Sequence, residues 1–116
     1  MESRLGQVFQ NLIANAVSFS PPGGSVRVAA SRLGGRAVVT VEDDGPGIPP
    51  AKLEAIFDRF YSERPSGEAF GTHSGLGLSI SKQIVETLDG RVYAENRADP
   101  DGRVAGARFV VELPLA

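Results

Sequence analysis

The sequence predicts a single α+β domain in which helices pack on one face of an antiparallel or mixed sheet. Helical periodicity near the start, β-branched runs joined by glycine turns, and the alternation of helices with hairpins support this prediction. The length of 116 residues is that of one domain with its own hydrophobic core, so we expect residues 1–116 to form one unit.

The first predicted element is an amphipathic helix over residues 3–19. Its apolar residues recur at helical spacing and predict a core-facing stripe of Leu5, Val8, Phe9, Leu12, Ile13 and Ala16. The opposite stripe is polar and consists of Arg4, Gln7, Asn11, Asn15 and Ser18. Prolines and glycines in residues 20–24 end the helix.

A hairpin, a short helix and a long loop are predicted next. Apolar residues alternate over 26–30, glycines at 34–35 make the turn, and residues 36–42 form the second strand. A short helix over 51–57 is entered through prolines. Residues 58–74, rich in glycine and small polar residues, predict a long mobile loop, and such loops are usually functional or disordered.

A second helix and two strands complete the predicted domain. The helix runs from Gly75 to Leu88, with Gly90 as its C-terminal stop. Its inward residues are expected to be Ile80, Ile84, Val85 and Leu88. Residues 91–96 and 107–113 predict strands joined by a polar turn.

Composition excludes several classes of function. The formal net charge of −2 argues against nucleic acid or an anionic membrane surface as the partner. Cysteine is absent, which excludes disulfides and thiolate metal sites. No apolar run reaches membrane-spanning length, and no signal peptide is present, so a cytoplasmic location is expected, with any membrane anchor outside this chain.

An asparagine pair is the first of three segments that could carry chemistry. Asn11 and Asn15 lie four residues apart and therefore on one helical face. Amide oxygens suit Mg²⁺, which usually keeps several waters and is completed by ligand phosphates. A solvated helix face is the alternative, and it is the commoner explanation of such a pair alone.

The second segment is an acidic turn after a buried strand. The β-branched run Val38–Val41 stops at Asp43, Asp44 and a glycine turn. Asp43 could accept a hydrogen bond from a flat ligand for which Gly45 and Gly47 leave room. We expect Asp44 to be only a solvated neighbour. The alternative is an ordinary strand-to-loop exit with surface acids.

The third segment is a glycine-rich loop, residues 71–78, that leads into the second helix. Backbone N–H groups at a helix N-terminus attract phosphate, and Gly75 and Gly77 would let an anion approach. A flexible connection is the alternative. A P-loop, a dinucleotide-binding glycine motif and the signature of Ser/Thr/Tyr protein kinases are all missing. His73, the only histidine, lacks a partner carboxylate at helical spacing.

In this order, the segments resemble the ATP-binding catalytic domain of bacterial sensor histidine kinases, of the superfamily that includes gyrase, Hsp90 and MutL. Residues 10–16 are similar to its N box, 43–48 to its G1 box, 57–61 to its F box and 74–80 to its G2 box, and residues 106–114 resemble its closing strand. The resemblance implies the Bergerat ATP-binding fold, a two-layer α/β sandwich with a mixed, largely antiparallel sheet.

The resemblance implies roles for individual residues. Asp43 would accept the adenine N6 proton, Asn15 would coordinate Mg²⁺ with Asn11 beside it, and Phe19 would lie near adenine. Gly45 and Gly47 would give the base its space. The implied ATP-binding set is Asn11, Asn15, Phe19, Asp43, Gly45, Gly47, Ile48, Gly75, Leu76, Gly77 and Leu78.

Residues 58–74 would form a lid over the ATP. The lid residues implied by the resemblance are Phe57, Arg59, Phe60, Thr72 and Ser74, and the two phenylalanines would dock the lid or face the partner domain. The family often carries Lys or Arg where this chain has Ser18. Arg59, Lys82 or a residue elsewhere could supply that charge, or the phosphates are held more weakly.

The resemblance also implies the partners. A protein-histidine kinase transfers the γ-phosphate of Mg-ATP to a histidine of a dimerisation domain, and a response regulator receives it next. His73 is followed by Ser74 rather than an acid, and the chain begins almost at the N box. We therefore expect the acceptor histidine, and the strand that precedes the N box, to lie on a missing segment of a membrane-anchored parent. This chain itself would contact neither nucleic acid nor membrane.

Two other functions stay open. A related ATPase of the same superfamily, or an anti-sigma-type serine kinase, would share the four boxes. DNA-linked ATPases of this superfamily typically carry Glu where this chain has Asn11, and an amide cannot activate water. The other possibility is a nucleotide-binding module with little or no kinase activity, for which Ser18 is the only support.

Overall fold

The computed structural model describes residues 4–58 and 76–115. Several predictions fall on other residues: positions 59–74 of the lid, which include Arg59, Phe60, Thr72 and Ser74, and Gly75 all lie outside the described residues. Two helices, α1 (Arg4–Phe19) and α2 (Leu76–Thr87), and four strands make up the described part: β1 (Arg27–Leu33), β2 (Arg36–Glu42), β3 (Arg91–Ala98) and β4 (Val104–Pro114).

The four strands form one sheet in the order β1-β2-β4-β3, and each neighbouring pair is antiparallel. The predicted hairpin is confirmed: β1 and β2 pair around the turn at Gly34 and Gly35. Because β4 pairs with both β2 and β3, it is a central strand whose two ladders hold the sheet together. The two-layer α+β class predicted from the sequence is confirmed.

The two faces of the sheet differ in chemistry because side chains alternate along each strand. On one face, Val41, Phe109 and Ala94 are register partners in a row across β2, β4 and β3. All three are buried in the core. The next row on the same face brings the buried Val92 and Val111 together.

The helices cover this apolar face. Three residues of α1 at four-residue spacing are fully buried, namely Val8, Leu12 and Ala16. From α2, Ile84 and Val85 enter the same core cluster. The two helices also pack against each other, so the core lies between one helical layer and one sheet layer.

Two residues predicted to face the core do not. Ile13 is 36% exposed, because the buried stripe runs through residues 8, 12 and 16 and leaves position 13 on the flank of the helix. Leu88 is 44% exposed, because α2 ends at Thr87. The residue with a positive φ after this helix is Asp89, at 61°, and the next residue, Gly90, donates its N–H to the carbonyl oxygen of Val85 over 2.9 Å.

The short helix predicted over residues 51–57 is two separate 3₁₀ turns, Pro50–Lys52 and Ala55–Phe57. The second turn brings Ile56 and Phe57 into the core. Phe57 contacts Phe109 edge to face, with ring centroids 6.0 Å apart.

Candidate functional site

The candidate site is built at the point where β2 ends. The last residue of β2, Glu42, has Arg108 of β4 as its register partner. Asp43 then leaves the strand but keeps one ladder contact, since its backbone N–H donates to the carbonyl oxygen of Ala107 over 3.0 Å. Asp43 is buried at this position and is only 2% exposed.

Two backbone N–H groups orient the Asp43 carboxylate. Gly45 donates to Oδ1 over 2.8 Å, and Ala107 donates to the same oxygen over 3.2 Å. A buried carboxylate needs such donors because the loss of hydration is costly. The predicted ligand-binding acid is therefore a buried carboxylate with one oxygen held by the backbone, and the alternative of a surface acid at a loop exit is excluded for Asp43.

The expectation that Asp44 is a solvated neighbour is wrong. Its Oδ1 accepts hydrogen bonds from Nη2 of Arg27 and from Nη2 of Arg97, each over 2.8 Å, and its Oδ2 accepts from the N–H of Ser25 over 2.9 Å. The Arg27 guanidinium, and after it the Ser25 N–H, hold the pKa of Asp44 below its usual value. Asp44 thus connects β1 and β3 to the turn.

The two glycines of the turn let protein atoms come close. A Cβ on Gly45 would lie 2.7 Å from the carbonyl oxygen of Phe19. Gly47 has a φ of 81°, and a Cβ there would lie 2.8 Å from Oδ1 of Asn96 and would also collide with Val104. Close packing against other protein atoms therefore explains both glycines. Their predicted role in making room for a ligand remains a prediction.

Asn96 holds the backbone at Ile48. Its Nδ2 donates to the Ile48 carbonyl oxygen, and its Oδ1 accepts from the Ile48 N–H, each over 2.7 Å. The side-chain amide therefore pairs with this residue much as a neighbouring strand would. The turn from residue 43 to residue 48 is attached to the sheet at both ends.

The polar stripe of α1 is turned toward α2. Nδ2 of Asn11 lies 3.3 Å from the carbonyl oxygen of Gly77 and 3.3 Å from Oγ of the buried Ser81. Asn15 lies one turn further along α1 and is half-buried. Leu78 packs against the core. The structure thus brings Asn11 to the first turn of α2, whereas the predicted role of Asn11 and Asn15 in binding remains a prediction.

Phe57 was predicted to dock the lid or to face a partner domain. It is only 7% exposed and belongs to the hydrophobic core. A ring buried in this way does not present a surface to a partner, so the second of these roles is wrong for Phe57. Its role in anchoring the segment that follows remains a prediction.

Lys82 was one of two residues suggested to supply the charge that Ser18 lacks. Its Nζ lies 3.8 Å from Oε2 of Glu86 on an exposed part of α2. This i,i+4 pair is a common surface arrangement of helices. The structure therefore gives Lys82 a carboxylate partner, and the other suggested cation, Arg59, is not among the described residues.

A row of alternating charges crosses the other face of the sheet. Arg27, Glu42, Arg108 and Glu95 are successive register partners across all four strands. Arg108 donates to Oε2 of Glu42 and to Oε2 of Glu95, each over 2.7 Å. Burial alone would raise the pKa of Glu42, but hydrogen bonds and charges from Arg108, Arg27 and Arg97 lower it overall.

Two absences can be stated for residues 4–58 and 76–115. No group of three or more Asp, Glu, His or Cys side chains could hold a metal ion. No helix in these ranges is long and apolar enough to cross a membrane.

Sequence reasoning missed Asn96 and Arg97, which hold the turn from β3, and it did not assign Gly106 a structural role. An added Cβ on Gly106 would collide with the carbonyl oxygen of Asp43. A glycine within a strand signals a bulge or a close backbone approach, and this signal was available. Asn96 and Arg97 carried no such signal, because their partners lie 48 and 54 residues away.

Comparison with known proteins gives one family. The sequence model of the family described as histidine kinase-, DNA gyrase B- and HSP90-like ATPases matches residues 1–116. The sensor protein ChvG of Rhizobium meliloti (strain 1021) is 54% identical over 116 residues, and the match covers 97% of this chain and 20% of ChvG. The chain therefore spans only a small part of the length of that relative.

Solved structures agree with the sequence comparison. The mycobacterial sensor histidine kinase MprB has a TM-score of 0.82 at 37% identity, over 96% of this chain and 70% of that chain. Full-length ShkA in complex with AMPPNP has a TM-score of 0.79 at 32% identity, over 97% of this chain and 22% of that chain.

Replacing Gly106 by alanine should destabilise the domain by at least about 2 kcal/mol, because a methyl group would displace the Asp43 carbonyl. Urea unfolding measures the change. Gly35→Ala is the matched control, since nothing lies within 4 Å of a Cβ there, and it should change stability by less than about 0.5 kcal/mol. Equal stability of the two variants would show that this close approach is not a constraint.

Proposed function

Because the chain belongs to the family of histidine kinase-, DNA gyrase B- and HSP90-like ATPases, we propose that it is the catalytic domain that binds Mg-ATP in a sensor histidine kinase. It donates the γ-phosphate to a histidine on a separate dimerisation domain, for relay to a response regulator. One observation carries this proposal: the Asp43 carboxylate is buried, and the backbone holds one of its oxygens.

Adenine is the base that this carboxylate suits. Gly45 and Ala107 donate to Oδ1 of Asp43, so Oδ2 is the proposed acceptor for the N6 amino group of adenine. Guanine presents an oxygen at the same edge, and two acceptors facing each other in a buried site repel. Asp43 therefore selects adenine, with Ile48 and Phe19 proposed to lie along the base.

The phosphates are proposed to lie toward α2. Asn11 contacts Gly77 in the first turn of that helix, and the N-terminal end of a helix favours an anion. Asn15, one turn along on the same face of α1, would hold Mg²⁺ through its amide oxygen, a ligand type that this cation accepts. When bound, the cation would supply charge neutralisation at the phosphates.

The transfer step needs orientation more than covalent help from this chain. A histidine nitrogen attacks the γ-phosphorus, the new P–N bond forms as the P–O bond to the β-phosphate breaks, and ADP leaves. The residues proposed for adenine, Mg²⁺ and phosphate would hold ATP still while the acceptor approaches. The acceptor histidine is proposed to lie on a dimerisation domain of the same kinase. A cytoplasmic location is proposed as well, because ATP is the phosphate donor.

Hydrolysis is the second candidate function, and the contacts of Asn11 argue against it. Its amide nitrogen is engaged with Gly77 and Ser81. An amide has no basic site that could take a proton from water, unlike the carboxylate of a general base. A serine kinase, or a nucleotide-binding module without transfer activity, would use the same nucleotide contacts and differs only in the transfer step.

Asp43→Asn should abolish detectable ATP binding, because the amide keeps an acceptor for the backbone but turns a donor toward the adenine amine. Calorimetric titration with Mg-ATP measures this. Asp89→Asn, on the exposed turn after α2, is the matched control and should bind as the parent does. Unchanged affinity in Asp43→Asn would overturn the adenine assignment.

Asn15→Ala should remove the magnesium dependence of ATP affinity, because it deletes the proposed amide ligand. The measurement is the ratio of dissociation constants in EDTA and in Mg²⁺. Gln10→Ala, on the exposed side of α1, should keep the parent ratio. If Asn15→Ala keeps that ratio as well, the cation is held elsewhere.

Phosphoryl transfer is tested by adding a dimerisation domain from the parent kinase to this chain with γ-labelled ATP. The label should appear on the added domain as acid-labile, base-stable phosphohistidine. Release of labelled phosphate without protein labelling would identify an ATPase. Label on a serine would identify the serine kinase, and Mg-ATP binding with neither reaction would identify a binding module.

A further inference from the structure

We propose that Arg97 is a positioning residue for adenine recognition: its guanidinium holds the backbone of Asp43, and thereby sets where the Asp43 carboxylate meets the base. This inference rests on the proposed function, because it concerns the same adenine contact. Nothing in the motifs of the sequence points to Arg97, which lies 54 residues away from Asp43 along the chain.

The carbonyl group of Asp43 lies just beyond the end of the β2–β4 pairing. Register pairing between β2 and β4 ends at Glu42, and only the N–H of Asp43 continues it by donating to Ala107. The register of β3 and β4 shifts between Arg97 and Ala98, which leaves Ala105 as an extra residue in β4. A buried carbonyl without a strand partner needs another donor.

Arg97 supplies that donor from the far side of β4. Its Nη2 and Nε lie 3.0 and 3.3 Å from the Asp43 carbonyl oxygen. Nη2 also lies 2.8 Å from Oδ1 of Asp44 and 3.3 Å from the carbonyl oxygen of Ala105. One side chain therefore contacts two consecutive residues of the turn and the bulge opposite them.

The packing around this guanidinium leaves it little freedom. The Arg97 side chain is 18% exposed, against 44% for Arg27, which shares the Asp44 carboxylate. A Cβ on Gly106 would lie 3.1 Å from Nη2 of Arg97, so the absence of a side chain there admits the guanidinium. A partly buried guanidinium with several acceptors holds its geometry better than an exposed one.

Only one residue, Asp43, lies between Arg97 and the proposed contact with adenine. The carbonyl that it holds and the carboxylate that would meet adenine belong to the same residue. The N–H groups of Gly45 and Ala107 hold Oδ1. If the Asp43 backbone shifted while Oδ1 stayed bonded, the carboxylate would turn and Oδ2 would move away from the N6 amine. Buried polar contacts lose strength steeply when their geometry is disturbed.

The test compares two nucleotides that differ at one group. Mg-ATP carries the N6 amine, and the triphosphate of purine riboside lacks it. For the full chain, Arg97→Gln should weaken ATP binding about tenfold but purine riboside triphosphate binding less than about twofold. Arg97→Lys should weaken ATP binding by an intermediate factor, because an ammonium keeps the charge but cannot fork between the two acceptors.

Arg108→Gln is the matched control. Arg108 lies in the same sheet and makes two ion pairs, with Glu42 and Glu95, so its loss disturbs the fold comparably. Among the described residues, its side chain bonds Glu42 and Glu95 and neither Asp43 nor Asp44. Both nucleotides should therefore bind Arg108→Gln with a nearly unchanged ratio of affinities, and urea unfolding of both variants compares their stability.

The outcomes separate the inference from the proposed function. If the parent chain fails to bind ATP, or binds both nucleotides equally well, the adenine contact itself is wrong. If the parent prefers ATP and Arg97→Gln keeps the parent ratio, the proposed function stands and the role of Arg97 is overturned. A merely structural role would lower both affinities equally, and this result also overturns the inference.

Discussion

The pairing of Asp43 with Ala107 joins the end of β2 to β4, and the rest of the site depends on it. The N–H of Asp43 donates to the Ala107 carbonyl, and the N–H of Ala107 donates back to the Asp43 carboxylate. The backbone and the side chain of one residue are thus held by the same neighbour. Because β4 lies in the centre of the sheet, the stability of the whole domain supports the position of this carboxylate.

The two faces of the sheet have different structural roles: one packs against the helices and the other carries ion pairs. The apolar face packs against α1 and α2 and brings Asn11 to the first turn of α2. The charged face carries the row of register partners that begins at Arg27 and ends at Glu95. Exposed ion pairs contribute little to stability individually. The ion pairs of Arg27 and of the partly buried Arg97 matter for geometry, because these side chains reach from β1 and β3 to hold Asp44 from two sides.

Much of the fold could be predicted from local patterns, whereas the supports of the site could not. The hairpin followed from alternating residues and two glycines, and Asp43 was singled out because a buried strand stops there. Asp44 looked like a surface acid, since nothing near it in sequence shows that two arginines meet it. Ile13 and Leu88 were misplaced because periodicity gives a helical stripe but not its width or its end.

Local sequence patterns were enough to predict the α+β class, the strands around the glycine turn, the helix that carries Asn11 and Asn15, and the place of Asp43. These depend on periodicity and turn chemistry within a few residues. The support of the turn by Arg97, Asn96 and Gly106 is visible only in the folded protein, because strand order and a bulge in β4 bring these residues there. Local sequence is enough to single out Asp43, but the orientation of its carboxylate depends on contacts with residues that are distant in the chain.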